Sequence, residues 1–145
     1  NSAFDEGGEL RKKEVAFLRD FMVKEYEKKG NYVIAGGDFN QCPIGIEPQY
    51  VADVYDSKDF VYMPDLLFPK EWSYVYDPTC PTNRNADVPY VRGETKTSTI
   101  DFFIVSPNVE AKSVKTIDLQ FEHSDHNPVE ATFSLRNLLP FMIFH

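Results

Sequence analysis

The chain has 145 residues with a net charge of −8, and 42% hydrophobic and 14% aromatic residues, including 12 Phe and 8 Tyr. That length and composition suit one globular domain with a real core and exclude a disordered chain. No apolar run approaches the roughly 20 residues of a membrane helix, and the acidic excess, carried wholly by residues 31–145, argues against non-specific binding to a phosphate backbone.

The opening "NSAFDEGGELRKKE" is polar, with neither an initiator Met nor a signal-peptide pattern, and so reads as the start of an excised or processed piece. From about Glu9 to Lys29 the spacing predicts a helix. Leu10, Val15, Leu18, Met22 and Tyr26 recur at three- to five-residue intervals, Lys and Glu fill the opposite face, and Gly30 stands where a C-terminal cap belongs. Such a helix would cover a sheet. The run Tyr32–Ala35 reads as a strand entering that sheet, and "GGDFNQ" at its end places a carboxylate and a carboxamide where strand ends present side chains to a ligand.

Seven prolines, at 43, 48, 64, 69, 78, 81 and 89, divide residues 41–98 into short pieces and predict long ordered loops. Within them "WSYVY" (72–76) is the best strand, and residues 49–55 form a short helix candidate. From Thr97 onward "STIDFFIVS" and "AKSVKTIDLQF" read as strands, and in "PVEATFSL" the alternation of Val129, Ala131, Phe133 and Leu135 has the period of a half-buried strand. The closing "LLPFMIFH" is apolar but short. Cys42 and Cys80 have no metal-binding spacing, and whether they pair is open.

Polar residues gather at the predicted strand ends: Asp38 and Asn40 in "GDFN", Asp101 in "TIDFF", and Asp125 with His126 in "HSDHNPV". Singly, each is equally well a turn or cap residue whose side chain bonds the nearby backbone. Asp101 differs in kind, because it lies among apolar neighbours and a buried carboxylate is costly without a partner. A histidine suits it, since a carboxylate that accepts from one ring nitrogen fixes the tautomer and turns the other nitrogen outward. His123 reads as a surface residue or strand-end cap. Arg84, Tyr90 and Arg92 in "TNRNADVPYVRG" could grip a phosphate or a base, although an ordinary solvated loop explains them too.

In order, "GGDFNQ", "TIDFFIVS" and "HSDHNPV", preceded by "SAFDEGGELRKKEVAFLRDF", resemble the second half of the endonuclease/exonuclease/phosphatase superfamily, the deoxyribonuclease-I-like fold. The resemblance implies an α/β (α+β) chain that forms part of a four-layer α/β/β/α sandwich with mixed sheets. Residues 1–145 would be the C-terminal portion of one such domain. The implied activity is divalent-metal-dependent hydrolysis of a phosphate mono- or diester. Asp38 would orient or deprotonate the attacking water, Asn40 would donate to a non-bridging oxygen, and His126, oriented by Asp101, would bond the scissile phosphate. Asp125 would be a ligand of Mg²⁺ or Mn²⁺, a hard ion suited to carboxylates and water.

The pattern's earlier Asn, its principal metal-ligand Glu and a further catalytic His are not in these 145 residues, and Asp5, Glu6 and Glu9 occupy no matching motif. A chain with only the later half should leave an apolar sheet face open to self-association. The implied substrate class runs from nucleic acid to phospholipid headgroups, and the acidic balance favours a small or lipid phosphate ester over duplex DNA. Two other classes remain: a non-catalytic binding module that keeps the fold, and a sugar- or protein-binding β-sandwich, which would leave Asp101 unexplained.

Overall fold

The structure is a computed structural model that describes residues 9–43, 63 and 67–136. It is a mixed α+β arrangement of one helix and several small sheets. The elements in chain order are α1 (Glu9–Lys29), β1 (Ile34–Asp38), β2 (Ser73–Val75), β3 (Asn83–Arg84), β4 (Thr97–Ser98), β5 (Asp101–Val105), β6 (Val109–Thr116) and β7 (Val129–Leu135). They form a three-stranded sheet ordered β1-β5-β2, the short pair β3-β4 and the hairpin β6-β7. Among the described residues every strand pairing is antiparallel, where the sequence reading expected mixed sheets.

The helix spans the residues its periodicity predicts, and Gly30 ends it at φ 66, a left-handed conformation that costs glycine little. Its N–H donates to the Tyr26 carbonyl at 2.8 Å. Val15 and Met22 are buried, and Leu18 and Tyr26 pack at the margin of the same core, against Phe68, Trp72, Phe102 and Ile104. Leu10 departs from the expected face. It is 48% exposed, and Arg11 is buried in its place, donating from Nη1 to the carbonyl of Asn40 at 3.1 Å. A long cationic side chain thus ties the first turn of the helix to the loop after β1.

Period-two alternation along β5 divides the core. Phe102 and Ile104 face the helix, whereas Phe103 and Val105 join Val75, Val109, Val114 and Phe133 on the other side, where the β6–β7 hairpin covers part of the sheet. The Phe103 and Phe133 rings meet edge to face at 5.4 Å. Gly36 pairs with Phe103 across the strands, and a Cβ there would lie 2.5 Å from the Phe103 ring. The first glycine of "GGDFN" therefore gives a neighbouring aromatic room to lie flat on the backbone.

Several expected boundaries move. β1 begins at Ile34 and not at Tyr32, "STIDFFIVS" divides between β4 and β5, and β6 starts at Val109 and stops at Thr116, leaving Ile117 to Phe121 outside it. The helix candidate at residues 49–55 and the apolar tail from residue 138 lie outside the described residues. Cys42 and Cys80 are both free thiols. Among the described residues no helix is long and apolar enough to cross a membrane.

Candidate active site

Asp38 ends β1 and Asp101 begins β5, and the two are directly opposed in the antiparallel register. Both lie on the sheet face away from the helix, because each is an even number of residues from the Gly36–Phe103 pair. The loop after β1 is held firmly. Phe39 donates its N–H to the Ile100 carbonyl at 2.9 Å and stacks on Phe102 with centroids 4.4 Å apart. Asn40 then turns at φ 51, a left-handed conformation that Asn tolerates better than most residues. Its N–H donates to Asp38 Oδ1 at 2.7 Å, and its Nδ2 lies 3.3 Å from Asp38 Oδ2. Asp38 is therefore both a turn-forming carboxylate, as its residue type alone suggests, and a member of the cluster.

His126 reaches the same place from the loop between β6 and β7. Its Nδ1 lies 2.8 Å from Asp101 Oδ2, the pairing expected of a carboxylate set among apolar neighbours. Hydrogen bonding to Asp101 is the largest influence on the ring and raises its pKa; burial opposes this, while the charges of Asp101, Asp38 and Asp125 raise it further. For Asp38, by contrast, partial desolvation comes first and pushes its carboxyl above the usual value, against the Asn40 N–H that lowers it and with the charge of Asp101 adding to the rise. Four sequence candidates, Asp38, Asn40, Asp101 and His126, thus converge from three separate segments.

Asp125 is close enough for its charge to act on His126, and its carbonyl accepts from the Arg84 N–H at 3.0 Å. Among the described residues no group of three or more His, Cys, Asp or Glu side chains is placed to hold a metal ion. The carboxylates have the oxygen chemistry that Mg²⁺ or Mn²⁺ accepts, but they do not by themselves amount to a complete site.

The side chains of the three loop candidates are engaged elsewhere, although the Arg84 backbone adjoins the cluster through Asp125. The Arg84 guanidinium donates to the carbonyls of Asn85 and Val88, Tyr90 packs edge to face on Phe121 at 4.9 Å, and Arg92 is ion-paired with Asp118 at 2.6 Å. Tyr90 and Arg92 line a cavity of about 830 Å³ with Asp77, Cys80, Lys115 and Asp118, and none of Asp38, Asn40, Asp101, Asp125 or His126 borders it. Its carboxylates are already engaged, Asp77 by Thr79 and the Thr116 N–H and Asp118 by Arg92, so its size does not outweigh the chemistry gathered at His126. His123 is 80% exposed beside Glu122, as a surface histidine should be.

Sequence reasoning missed two neighbours of the cluster. Thr82 is fully buried, and its Oγ1 accepts the N–H groups of Ile100 and Asp101 at 3.0 and 3.1 Å. Asn83, next to it, places its side-chain nitrogen 3.1 Å from His126 Nε2. No local pattern marks either, since the partners just named, Ile100 for Thr82 and His126 for Asn83, lie 18 and 43 residues away. Set against protein-family models, curated proteins and solved structures, the chain matches none of them.

Proposed function

We propose that this chain is the C-terminal portion of a metal-dependent phosphoesterase domain of the endonuclease/exonuclease/phosphatase type, with its helix and sheets forming part of a four-layer sandwich. The observation that carries the reading is the convergence of Asp38 and Asn40, Asp101, and His126 from three distant segments, with His126 Nδ1 2.8 Å from Asp101. A phosphate-ester hydrolase needs an oriented water and donors aimed at charge developing on phosphate oxygens.

In this reading Asp38 orients the attacking water and serves as its base, a task helped by a carboxyl whose burial raises its pKa. Asn40 Nδ2 donates to a non-bridging oxygen, and its left-handed backbone sets the direction of that donor. Asp101 holds the His126 ring so that Nε2 is the nitrogen left for the phosphate. Asp125 would contribute to binding Mg²⁺ or Mn²⁺, which when bound offsets charge on the phosphate, and the remaining ligands would come from outside these 145 residues. A nucleotide or a phospholipid headgroup would present the required phosphate, and the net charge of −8 favours the smaller or lipid ester.

The test is hydrolysis of p-nitrophenyl phosphate and bis-p-nitrophenyl phosphate by this chain and by a longer protein containing it, with Mg²⁺, Mn²⁺ or EDTA. Metal-dependent turnover by the longer protein, lost in His126→Ala, is expected, and the preferred ester assigns mono- or diesterase. Absence of turnover by both, together with no effect of either metal on thermal stability, favours a binding module that keeps the fold.

A further inference from the structure

Asn83 has no part in the chemistry above, yet its side chain meets the edge of His126 that the chemistry requires. We propose that Asn83 is a positioning residue that caps His126 at Nε2 in the ligand-free protein and yields that nitrogen to a phosphate oxygen when substrate enters. The phosphate half of this proposal rests on the phosphoesterase reading; the cap itself does not.

The orientation of the Asn83 amide follows from its partners. One edge of the amide faces the Asp125 carbonyl at 3.2 Å and the other faces Ser98 Oγ at 3.3 Å. A carbonyl can only accept, so the amide nitrogen must lie on the Asp125 side, leaving Oδ1 to accept from the serine hydroxyl. That same nitrogen is 3.1 Å from His126 Nε2. Because an amide nitrogen donates and does not accept, Nε2 must be the bare nitrogen of the ring, and the ring proton sits on Nδ1, shared with Asp101.

The ring is therefore held at both nitrogens. Backbone pairing anchors the arrangement, since Asn83 is bridged to His126 and is in register with Ser98 across β3 and β4. One amide hydrogen serves Asp125 and the other serves Nε2, so a ligand oxygen reaches Nε2 only by taking the place of the second. In the capped state Nε2 bears no proton, so the phosphate that takes the place of Asn83 must donate from a protonated oxygen, which inorganic phosphate and a monoester monoanion carry and a diester does not. Rotation of the Asn83 side chain suffices to make room, with the β3–β4 pairing left intact.

The experiment records long-range ¹H–¹⁵N spectra of the histidine rings in the whole chain, at an alkaline pH where the ring is neutral, and then adds inorganic phosphate. The expected wild-type ring is the Nδ1–H tautomer, with an Nε2 signal displaced by the hydrogen bond it accepts. Asn83→Ala should move that signal to the position of a water-facing imidazole nitrogen. Ser98→Ala, which keeps Asn83 but frees its oxygen, should move it part of the way and serves if Asn83→Ala does not fold. An Nε2 signal unchanged in folded Asn83→Ala overturns the cap.

With the competing donor gone, Asn83→Ala should bind phosphate about 2- to 10-fold more tightly, the value of one modest hydrogen bond. Weaker binding would make Asn83 a ligand contact and overturn the displacement. If the Nε2 signal moves but neither protein binds phosphate, the cap stands and its displacement by phosphate falls, while the phosphoesterase reading is decided separately by turnover of the longer protein.

Discussion

Asn40 combines a left-handed backbone at φ 51 with a side chain placed to donate, so a substitution there changes two properties at once. Asn40→Ala loses the amide and also puts in its place a residue that tolerates the left-handed conformation less well than Asn does, at a cost of up to about 1 kcal/mol. Asn40→Gly removes only the amide. In the intact enzyme of the proposed reading, both should lower kcat by about 10²- to 10³-fold, as loss of an oxyanion-stabilising donor does, but only Asn40→Ala should also lower Tm. Equal turnover in wild type and Asn40→Gly would remove the amide from the mechanism. The Asp101–His126 pair makes a second, pH-dependent prediction. The folded state holds the His126 proton more tightly than the unfolded chain does, chiefly through Asp101. The pair's stabilisation is therefore fully present below the unfolded histidine value of about 6.5 and is lost as pH rises through the raised folded value. The two side chains are only 31% and 19% exposed, and Asp101→Asn should cost about 1–2 kcal/mol in mildly acidic solution, with the cost shrinking toward alkaline pH. Urea midpoints at both ends of that range provide the check, and a pH-independent cost would break the dyad.

At the scale of elements, the glycine of the first strand and the threonine before the third are constrained by neighbours that the chain brings from far away. A methyl group on Gly36 would sit 2.5 Å from a Phe103 ring that is itself packed on Phe133, so the ring can retreat only by giving up that contact. Gly36→Ala should cost about 1–3 kcal/mol, the usual penalty for overpacking, seen as a lower urea midpoint; a neutral effect would mean that the hairpin side of the sheet yields freely. Thr82 anchors the start of β5 through one hydroxyl that accepts two N–H groups. Thr82→Val should leave both donors buried and cost about 2–4 kcal/mol, whereas Thr82→Ser should restore most of it. If valine proves as stable as serine, the clamp is not what holds Asp101 in place. These two residues also mark what the sequence could reveal. The span of α1 and the alternation along β7 as far as Phe133 were legible because each is a local period, although Leu135, expected on the same half-buried face, is 58% exposed; Asp101 stood out as a carboxylate in an apolar run. Leu10 was assigned to the wrong face because Arg11, a charged residue, takes the buried position by reaching the Asn40 carbonyl. Asn83 and Thr82 were illegible because two polar residues in a proline-broken stretch acquire their meaning only from β4, β5 and the His126 loop.

For the whole molecule, the question raised by the resemblance is what covers the sheet face turned away from the helix. The β6–β7 hairpin covers the β2 and β5 side through Val75, Phe103 and Val105. The β1 side is barer, with Ile34 44% exposed and Gly36 exposed beside it. β1 is also an edge of its sheet among the described residues, and an exposed edge with an apolar side chain is a template for a second chain. The net charge of −8 opposes that contact by self-repulsion, which salt screens. Sedimentation velocity should therefore show association that grows with protein concentration and strengthens with added salt. Ile34→Lys places a charge on the bare side of the sheet at a position too exposed to matter much for folding, and it should return the protein to monomer. The outer face of α1 provides the control, because Phe17 is 76% exposed there, away from the sheet. Phe17→Ser should leave the association unchanged. If it abolishes the association while Ile34→Lys does not, the contact runs through the helix and not through the sheet face. A protein that stays monomeric at every concentration and salt would exclude both contacts.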